Sequence, residues 1–266
     1  MDKALWLLLV IVAGRGGIGK SLLATLLTVA LLRLNRPPLL VQADIQRRLD
    51  VLFPDLTKTI NIDKLEELTE NPMALINAFS AIPATMRICA AGGRDEIVDT
   101  AATWHVPIIR YAAEVGLARK AESLGGRLVF LVPTTADTDA VLLAVETVRM
   151  IETLVPNAKV VFVLNSYPAP VTFDVPDVVK QFGKAELQRL LKKHRQIVLP
   201  AISPAIWGPF ERANKSPLDV IAADPSDLTA IVHADIDTVE IMQGRVEKWV
   251  NDFIAQADTI LQLRNA

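Results

Sequence analysis

Gly14-Arg15-Gly16-Gly17-Ile18-Gly19-Lys20-Ser21 is a complete phosphate-binding loop of the pattern G-x-x-x-x-G-K-[ST]. It follows the apolar run Leu5–Val12, which reads as a strand, and opens Ser21–Leu34, which reads as a helix. Strand, glycine loop, helix is the context the motif requires. Glycines let main-chain N–H groups converge on phosphate oxygens, and the helix N-terminus adds partial positive charge. Residues Gly14, Arg15, Gly16, Gly17, Ile18, Gly19, Lys20, Ser21 and Leu22 are therefore the candidate nucleotide cradle. Lys20 is expected to reach the β- and γ-phosphates, and the Ser21 hydroxyl to ligate Mg²⁺. The alternative is a glycine turn with a purely structural role.

Outward from the loop, short β-like runs alternate with longer helical ones. Strands are expected at Leu5–Val12, Pro38–Gln42, Met86–Cys89, Glu96–Val98, Arg127–Val132, Lys159–Leu164 and Gln196–Leu199. Helices are expected at Ser21–Leu34, Ile62–Leu68, Pro72–Ala81, Val106–Leu124, Asp137–Leu154, Lys184–Lys193 and, broken, Ser226–Leu263. Near-continuous apolar strands belong to a parallel sheet covered on both faces. The alternation then predicts an α/β, three-layer, doubly wound and mostly parallel fold. Pro168–Asp177 is a proline-rich loop after a strand, near the carboxyl edge where such folds bind ligands. The whole chain, 1–266, is read as one domain with 226–266 as a C-terminal helical extension.

The composition narrows the classes. A net charge of −2 makes no global electrostatic case for nucleic acid. A mean hydropathy of +0.33 asks for a large aliphatic core or for an apolar surface hidden in a dimer or against a partner. One cysteine, Cys89, excludes an intrachain disulfide framework and fits a reducing, cytoplasmic setting. The apolar start runs into the phosphate loop, so it reads as a buried strand rather than a signal peptide or a membrane span.

Two acidic positions extend the nucleotide reading. Asp44, at the end of the second expected strand, suits orientation of an attacking water beside the γ-phosphate, or an ordinary helix cap. Asp99 ends the short strand Glu96-Ile97-Val98 and suits Mg²⁺ through a water, since Mg²⁺ keeps much of its hydration shell, or else caps the next helix.

These residues resemble the ParA/MinD family of deviant Walker A ATPases, whose loop reads K-G-G-x-G-K-[ST]. Asp44 and Gln46 are similar to the second aspartate and the glutamine of that family's D-x-D-P-Q segment. Asp99-Thr100-Ala101 resembles its Walker B ending, Asn165 its adenine-contacting asparagine, and Val198-Leu199-Pro200 its last strand. The resemblance implies a SIMIBI-type P-loop NTPase, ATP and Mg²⁺ as cofactors, nucleotide contacts at Asn165 and Pro200, and an ATP-dependent homodimer. Ile97–Thr103 and Leu164–Tyr167 look nearest to the TraL-like ATPases of conjugative plasmids. Three departures stand out. Arg15 occupies the place of the signature lysine that crosses the dimer, where it is either an arginine finger in trans or an exposed loop arginine. Gln42 replaces the first aspartate of D-x-D, and Ile45 replaces the proline. The catalytic set implied is Lys20, Asp44 and Arg15, with Ser21 and Asp99 at the metal.

Other features divide between function and packing. Lys184, Arg189, Lys192, Lys193 and Arg195 either meet DNA phosphates or form a solvated helix face. Val246, Trp249, Val250, Phe253, Ile254, Ala257, Ile260 and Leu261 make an amphipathic helix that packs on its own domain, on a partner or on a membrane surface. His105, His194 and His233 show no metal-ligand spacing, though Trp104-His105 sits where it can touch a partner or the switch loop. Asp137 and Asp139 read as a helix start. The resulting expectation is a dimerising switch ATPase for partition, conjugative transfer or cargo positioning, acting on DNA or an adaptor protein. The alternatives are a nucleotide-gated scaffold with little turnover and a small-molecule kinase or ligase.

Overall fold

A computed structural model describes residues 6–43, 47–60 and 72–263. Seven strands form one sheet in the order β3-β2-β4-β1-β5-β6-β7, every neighbouring pair parallel. They are β1 (Trp6–Ile11), β2 (Leu39–Ala43), β3 (Thr57–Thr59), β4 (Glu96–Thr100), β5 (Gly126–Thr134), β6 (Lys159–Asn165) and β7 (Arg195–Leu199). The central strand β1 is buried at every position. A strand covered on both faces has no solvent side, so its sequence runs apolar without alternation.

The strands' two faces seed two cores. Leu8, Val10, Val98, Phe130 and Phe162 face one helical layer. It is built from α3 (Pro72–Ala78), α4 (Ala81–Gly92), α5 (His105–Glu114), α6 (Leu117–Ser123), α7 (Thr138–Leu154), α8 (Pro176–Phe182) and α9 (Lys184–Lys193). Leu7, Leu9, Ile11, Ile97 and Leu131 face the other. That side carries α1 (Lys20–Arg33), α2 (Arg48–Leu52), α10 (Pro204–Arg212), α11 (Pro217–Ala222), α12 (Pro225–Val232) and α13 (Ile236–Leu261). The high hydropathy is spent mainly in these cores. Of the exposed large apolar side chains, Val51, Met73, Ile88, Leu154 and Tyr167 lie on separate elements or loops, and Ile236 and Ile241 share α13.

The expected doubly wound α/β architecture is therefore observed, with corrections in its elements. Met86–Cys89, expected as a strand, lies inside α4. Its buried residues Ala81, Ile82, Thr85, Met86, Cys89 and Ala90 recur at helical spacing, and a four-residue window is too short to show that period. Val106–Leu124 is two helices, α5 and α6, parted at Gly116, whose φ of 62° is left-handed. Ser226–Leu263 breaks at His233, also left-handed, into α12 and α13. The expected helix Ile62–Leu68 lies outside the described residues. The short elements β3, α2, α8, α10 and α11 have no counterpart among the expected elements.

The C-terminal helix packs on its own chain. Val246, Trp249, Val250, Phe253, Ile254, Ala257 and Leu261 are buried against the sheet and α1. The Trp249 indole N–H donates to the Pro200 carbonyl at 2.8 Å, and Gln256 Oε1 accepts from the Val198 N–H at 2.9 Å. Among the described residues no helix is long and apolar enough to cross a membrane.

The layer beyond β4 holds an unusual charge arrangement. Asp95 accepts from the Leu7 N–H and pairs with Arg36 at 2.8 Å. Glu96 next to it is fully buried, and neither carboxyl oxygen has a hydrogen-bond partner among the described residues. Burial pushes the Glu96 carboxyl well above the usual range. Burial, with Glu96 adding to it, pushes the Cys89 thiol and the Tyr111 hydroxyl each up to about 12. A carboxyl raised in the folded state contributes stability that is complete below its unfolded value and is lost as pH rises through the folded one. Glu96→Gln should therefore match the parent near pH 4 and exceed it at pH 8, by about 1–3 kcal/mol. Denaturant melts at both pH values check this; equal stability at pH 8 counts against it.

Candidate nucleotide-binding site

The loop after β1 is shaped by two backbone needs. Gly17 and Gly19 take positive φ, 73° and 94°, where a side chain is strained. A Cβ on Gly19 would stand 2.8 Å from Asn165 Nδ2. Gly19 is also the N-cap of α1 and supplies no capping side chain. The first-turn N–H groups of a largely buried helix are thus left to whatever enters from the loop side. They open on a cavity of about 600 Å³.

The structure brings most of the expected residues to that cavity. Gly16, Gly17, Gly19, Lys20, Ser21, Leu22, Asn165 and Pro200 line it. Lys20 is buried, and its ammonium donates to the Arg15 carbonyl at 2.9 Å, bridging the loop from end to end. Ile18 is buried beside Ala13 and Ala140. Its carbonyl accepts from Asn165 Nδ2 at 3.1 Å, while Asn165 Oδ1 accepts from the Tyr167 N–H. Asn165 therefore braces the loop, and both ends of its amide are engaged. Gly14 abuts the His105 ring, which would lie 3.0 Å from a Cβ there. A carbonyl only accepts, so the His105 Nδ1 contact of 2.8 Å to Ala102 O has the ring nitrogen donating. His105 thus links the loop to the segment after β4, and Trp104 is buried edge-on to Phe79.

Asp99 is fully buried at the end of β4, in register with Ile11 of β1 and Gln42 of β2. It lies just before Ala101, Ala102 and Thr103, which line the cavity. Gln42 is buried too. Its Oε1 accepts from the Asp50 N–H at 3.1 Å, and its Nε2 has no hydrogen-bond partner among the described residues. Asp44 and Gln46 lie outside the described residues.

Arg15 is turned onto its own chain. Its guanidinium forms a two-point contact with Asp137, at 2.5 and 3.2 Å, and approaches Asp139 at 3.4 Å. Asp137 is at the same time the N-cap of α7, accepting from the Ala140 N–H. The helix-start reading of Asp137 holds, and the ion pair with Arg15 is new. The basic cluster is divided. Arg189 grips Glu152 and Glu186, while Lys193 and His194 also meet Glu152. These partners hold the Glu152 carboxyl well below the usual range, the Arg189 hydrogen bond contributing most. Lys184 and Lys192 are exposed.

Sequence reasoning missed the far wall. Trp207, Trp249 and Tyr167 line the cavity, the two indoles 5.6 Å apart. Trp207 Nε1 is buried and without a hydrogen-bond partner among the described residues. Arg48 and Glu211, also in the wall, pair at 2.6 Å and join α2 to α10. Trp207, Arg48 and Glu211 sit on short helices that carry no local motif, Trp249 on the long α13 and Tyr167 on the loop after β6, so only the fold assembles them.

No family model matches the chain, and neither does any curated protein. Solved structures with a similar arrangement include MinD of Pyrococcus horikoshii complexed with Mg-ADP, at 14% identity over 97% of this chain and 98% of that one, TM-score 0.47. Another is a plasmid partition protein of Borrelia burgdorferi bound to AMPPNP, at 13% identity over 94% and 99%, TM-score 0.47. A third is the MinC:MinD cell division complex of Aquifex aeolicus, at 18% identity over 90% and 96%, TM-score 0.45. The chain's own sheet order and loop carry its fold assignment, and its chemistry is read from its own residues.

Gly19→Ala tests the loop directly. It should keep the fold, because the displaced atom is an amide at the end of a side chain, and weaken ATP binding by about tenfold or more. Calorimetric titration with ATP and a circular-dichroism melt separate the two; undiminished affinity argues against the cradle.

Proposed function

We propose that this chain is an ATP-dependent, dimerising switch ATPase of the ParA/MinD kind, comprising one P-loop domain with residues 226–266 as its C-terminal extension. The observation that carries this reading is the uncapped N-terminus of α1 opening, through the glycine loop, on the cavity of about 600 Å³. Converging main-chain N–H groups suit a chain of phosphates. Lys20 adds a buried cation at the same point, able to exchange its Arg15 carbonyl for a phosphate oxygen. Trp207, Trp249 and Tyr167 offer flat apolar surface for a base, with Asn165 and Pro200 beside them.

The donors fit Mg²⁺, a hard cation that takes oxygen ligands. Ser21 offers a hydroxyl at the cavity, and Asp99 a buried carboxylate behind it. When bound, the ion would neutralise charge on the transferred phosphate. The chain's own contribution is positional. Lys20 and the loop N–H groups hold the phosphates, Asp99 orients water near Ser21, and Asp44 is assigned to the attacking water. Arg15 is assigned to the neighbouring subunit's nucleotide. Loose phosphoryl transfer asks mainly for such positioning and charge.

ATP-bound dimer and ADP-bound monomer would then differ in affinity for a cargo, and that difference is the output. Partition, conjugative transfer and cargo positioning in the cytoplasm fit this output, with DNA or an adaptor protein as cargo. The conjugative-plasmid assignment rests on Ile97–Thr103 and Leu164–Tyr167 alone. Lys20→Ala should lower ATP affinity by about a hundredfold or abolish turnover. Unchanged phosphate release in that variant refutes the ATPase reading.

A second reading, a nucleotide-gated scaffold with little turnover, is favoured by the grip of Asp137 and Asp139 on Arg15. An arginine held in its own chain is withheld from a neighbour. Both partners are more than a third exposed, so screening keeps such a contact near or below about 1 kcal/mol. Asp137→Asn retains a good N-cap while removing the nearer of the two carboxylate charges that hold the arginine. It should strengthen ATP-dependent dimerisation by about two- to fivefold, read by analytical ultracentrifugation. Weaker dimerisation would show that the pair belongs to the assembled state instead.

A further inference from the structure

At the opposite edge of the sheet from the phosphate loop, the strands begin with an array of cations. Arg127 is the second residue of β5, Lys159 opens β6 and Arg195 opens β7, three neighbouring strands. Side chains alternate along a strand, so Arg127 shares a face with Val129, Lys159 with Val161, and Arg195 with Ile197. All three apolar residues belong to the core under α13. The three cations therefore share one face in a staggered row, Lys159 in register with Val129 and Arg195 with Val161.

Like charges on adjacent strands repel, and little in the described structure offsets them. None of the three forms an ion pair among the described residues. Arg195 has only a long hydrogen bond, 3.4 Å, to the Ile260 carbonyl near the end of α13. The neighbouring Lys193 and His194 are committed to Glu152. Burial and the charges of Arg127 and Arg195 hold the Lys159 ammonium below its usual range, as expected of a cation crowded by others. These side chains surround a cavity of about 260 Å³ whose described lining includes no carboxylate. Its walls include Leu7, Val129, Val161 and Ile260.

We propose that this cavity is a second anion site, taking the terminal phosphate of a phosphate monoester with a short apolar stem. Two guanidinium forks and an ammonium match a tetrahedral dianion better than a singly charged carboxylate. A concave pocket of this size admits one phosphate and a few carbons, not a nucleotide. The convex, singly charged phosphodiesters of duplex DNA fit it less well. The monoester comes either from a soluble metabolite or from a lipid headgroup such as phosphatidic acid.

The test separates this cavity from the phosphate loop, which also binds phosphate. Glycerol 3-phosphate is titrated into the full chain, into Lys20→Ala and into Lys159→Gln/Arg195→Gln, with calorimetry and thermal melts as readouts. Vesicles of phosphatidylcholine with and without phosphatidic acid form the second arm. The expected result is binding that survives Lys20→Ala and weakens at least tenfold in the double variant, whose affinity for AMPPNP is unchanged. Soluble-ligand binding identifies a metabolite source. Binding only to phosphatidic acid vesicles, lost in the double variant, identifies a lipid source. Lys159→Gln alone should raise the melting temperature without ligand and shrink the ligand-induced rise; if the double variant does not fold, this single change and Arg127→Gln decide. Binding that vanishes in Lys20→Ala but persists in the cavity variants overturns the proposal. So does failure of both probes, or binding of duplex DNA alone through these residues.

Discussion

The constraint on which the candidate site depends is an unmet hydrogen-bonding demand at the start of α1. That helix is largely buried, begins at a glycine with no capping side chain, and has no acidic residue in its first turn. Helices normally meet this demand from their own sequence. Here the demand faces a cavity, and the surrounding residues keep it facing that way. Asn165 fastens the Ile18 carbonyl, Lys20 bridges to Arg15, and His105 closes against Gly14. Each contact stiffens the loop without filling it. Rigid main-chain donors need no reorganisation when an anion arrives.

The parallel sheet explains why these contacts meet. β1, β4 and β6 end at the same edge, so residues distant in sequence, such as Ile18 and Asn165, come together without a long loop between them. The C-terminal helix supports the far side: Trp249 packs beneath the cavity wall and holds the Pro200 carbonyl. A helix whose pattern also suits a partner or a membrane is thereby part of the cavity's own framework.

Much of this was legible in the sequence because the decisive signals are local. The loop motif needs eight consecutive residues, α7 carries its own cap and α9 its own periodicity, while α1, uncapped and apolar nearly all round, is marked by the motif that precedes it. The four-residue window at Met86–Cys89 failed because it spans barely one helical turn. Trp207, Arg48 and Glu211 were invisible for another reason: they lie on helices of five to nine residues, placed by packing rather than by pattern. The partnership of Arg15 with Asp137 is likewise a product of topology. β1 and β5 are neighbours in the sheet, so the segments that leave their C-terminal ends share an edge. Asp44 remains known only by its place in the sequence.

The grip of Asp137 and Asp139 on Arg15 also bears on how two copies of the chain would meet. An arginine at the tip of a phosphate loop would present a bare positive charge to an identical loop coming the other way. Paired at two points with Asp137 of its own chain, its positive charge is offset locally and its own field falls off quickly with distance. Loop-to-loop approach is then not opposed by self-repulsion, and the first encounter can be slow to respond to salt. The charge becomes felt only at close range, where the carboxylates can be exchanged for an incoming phosphate.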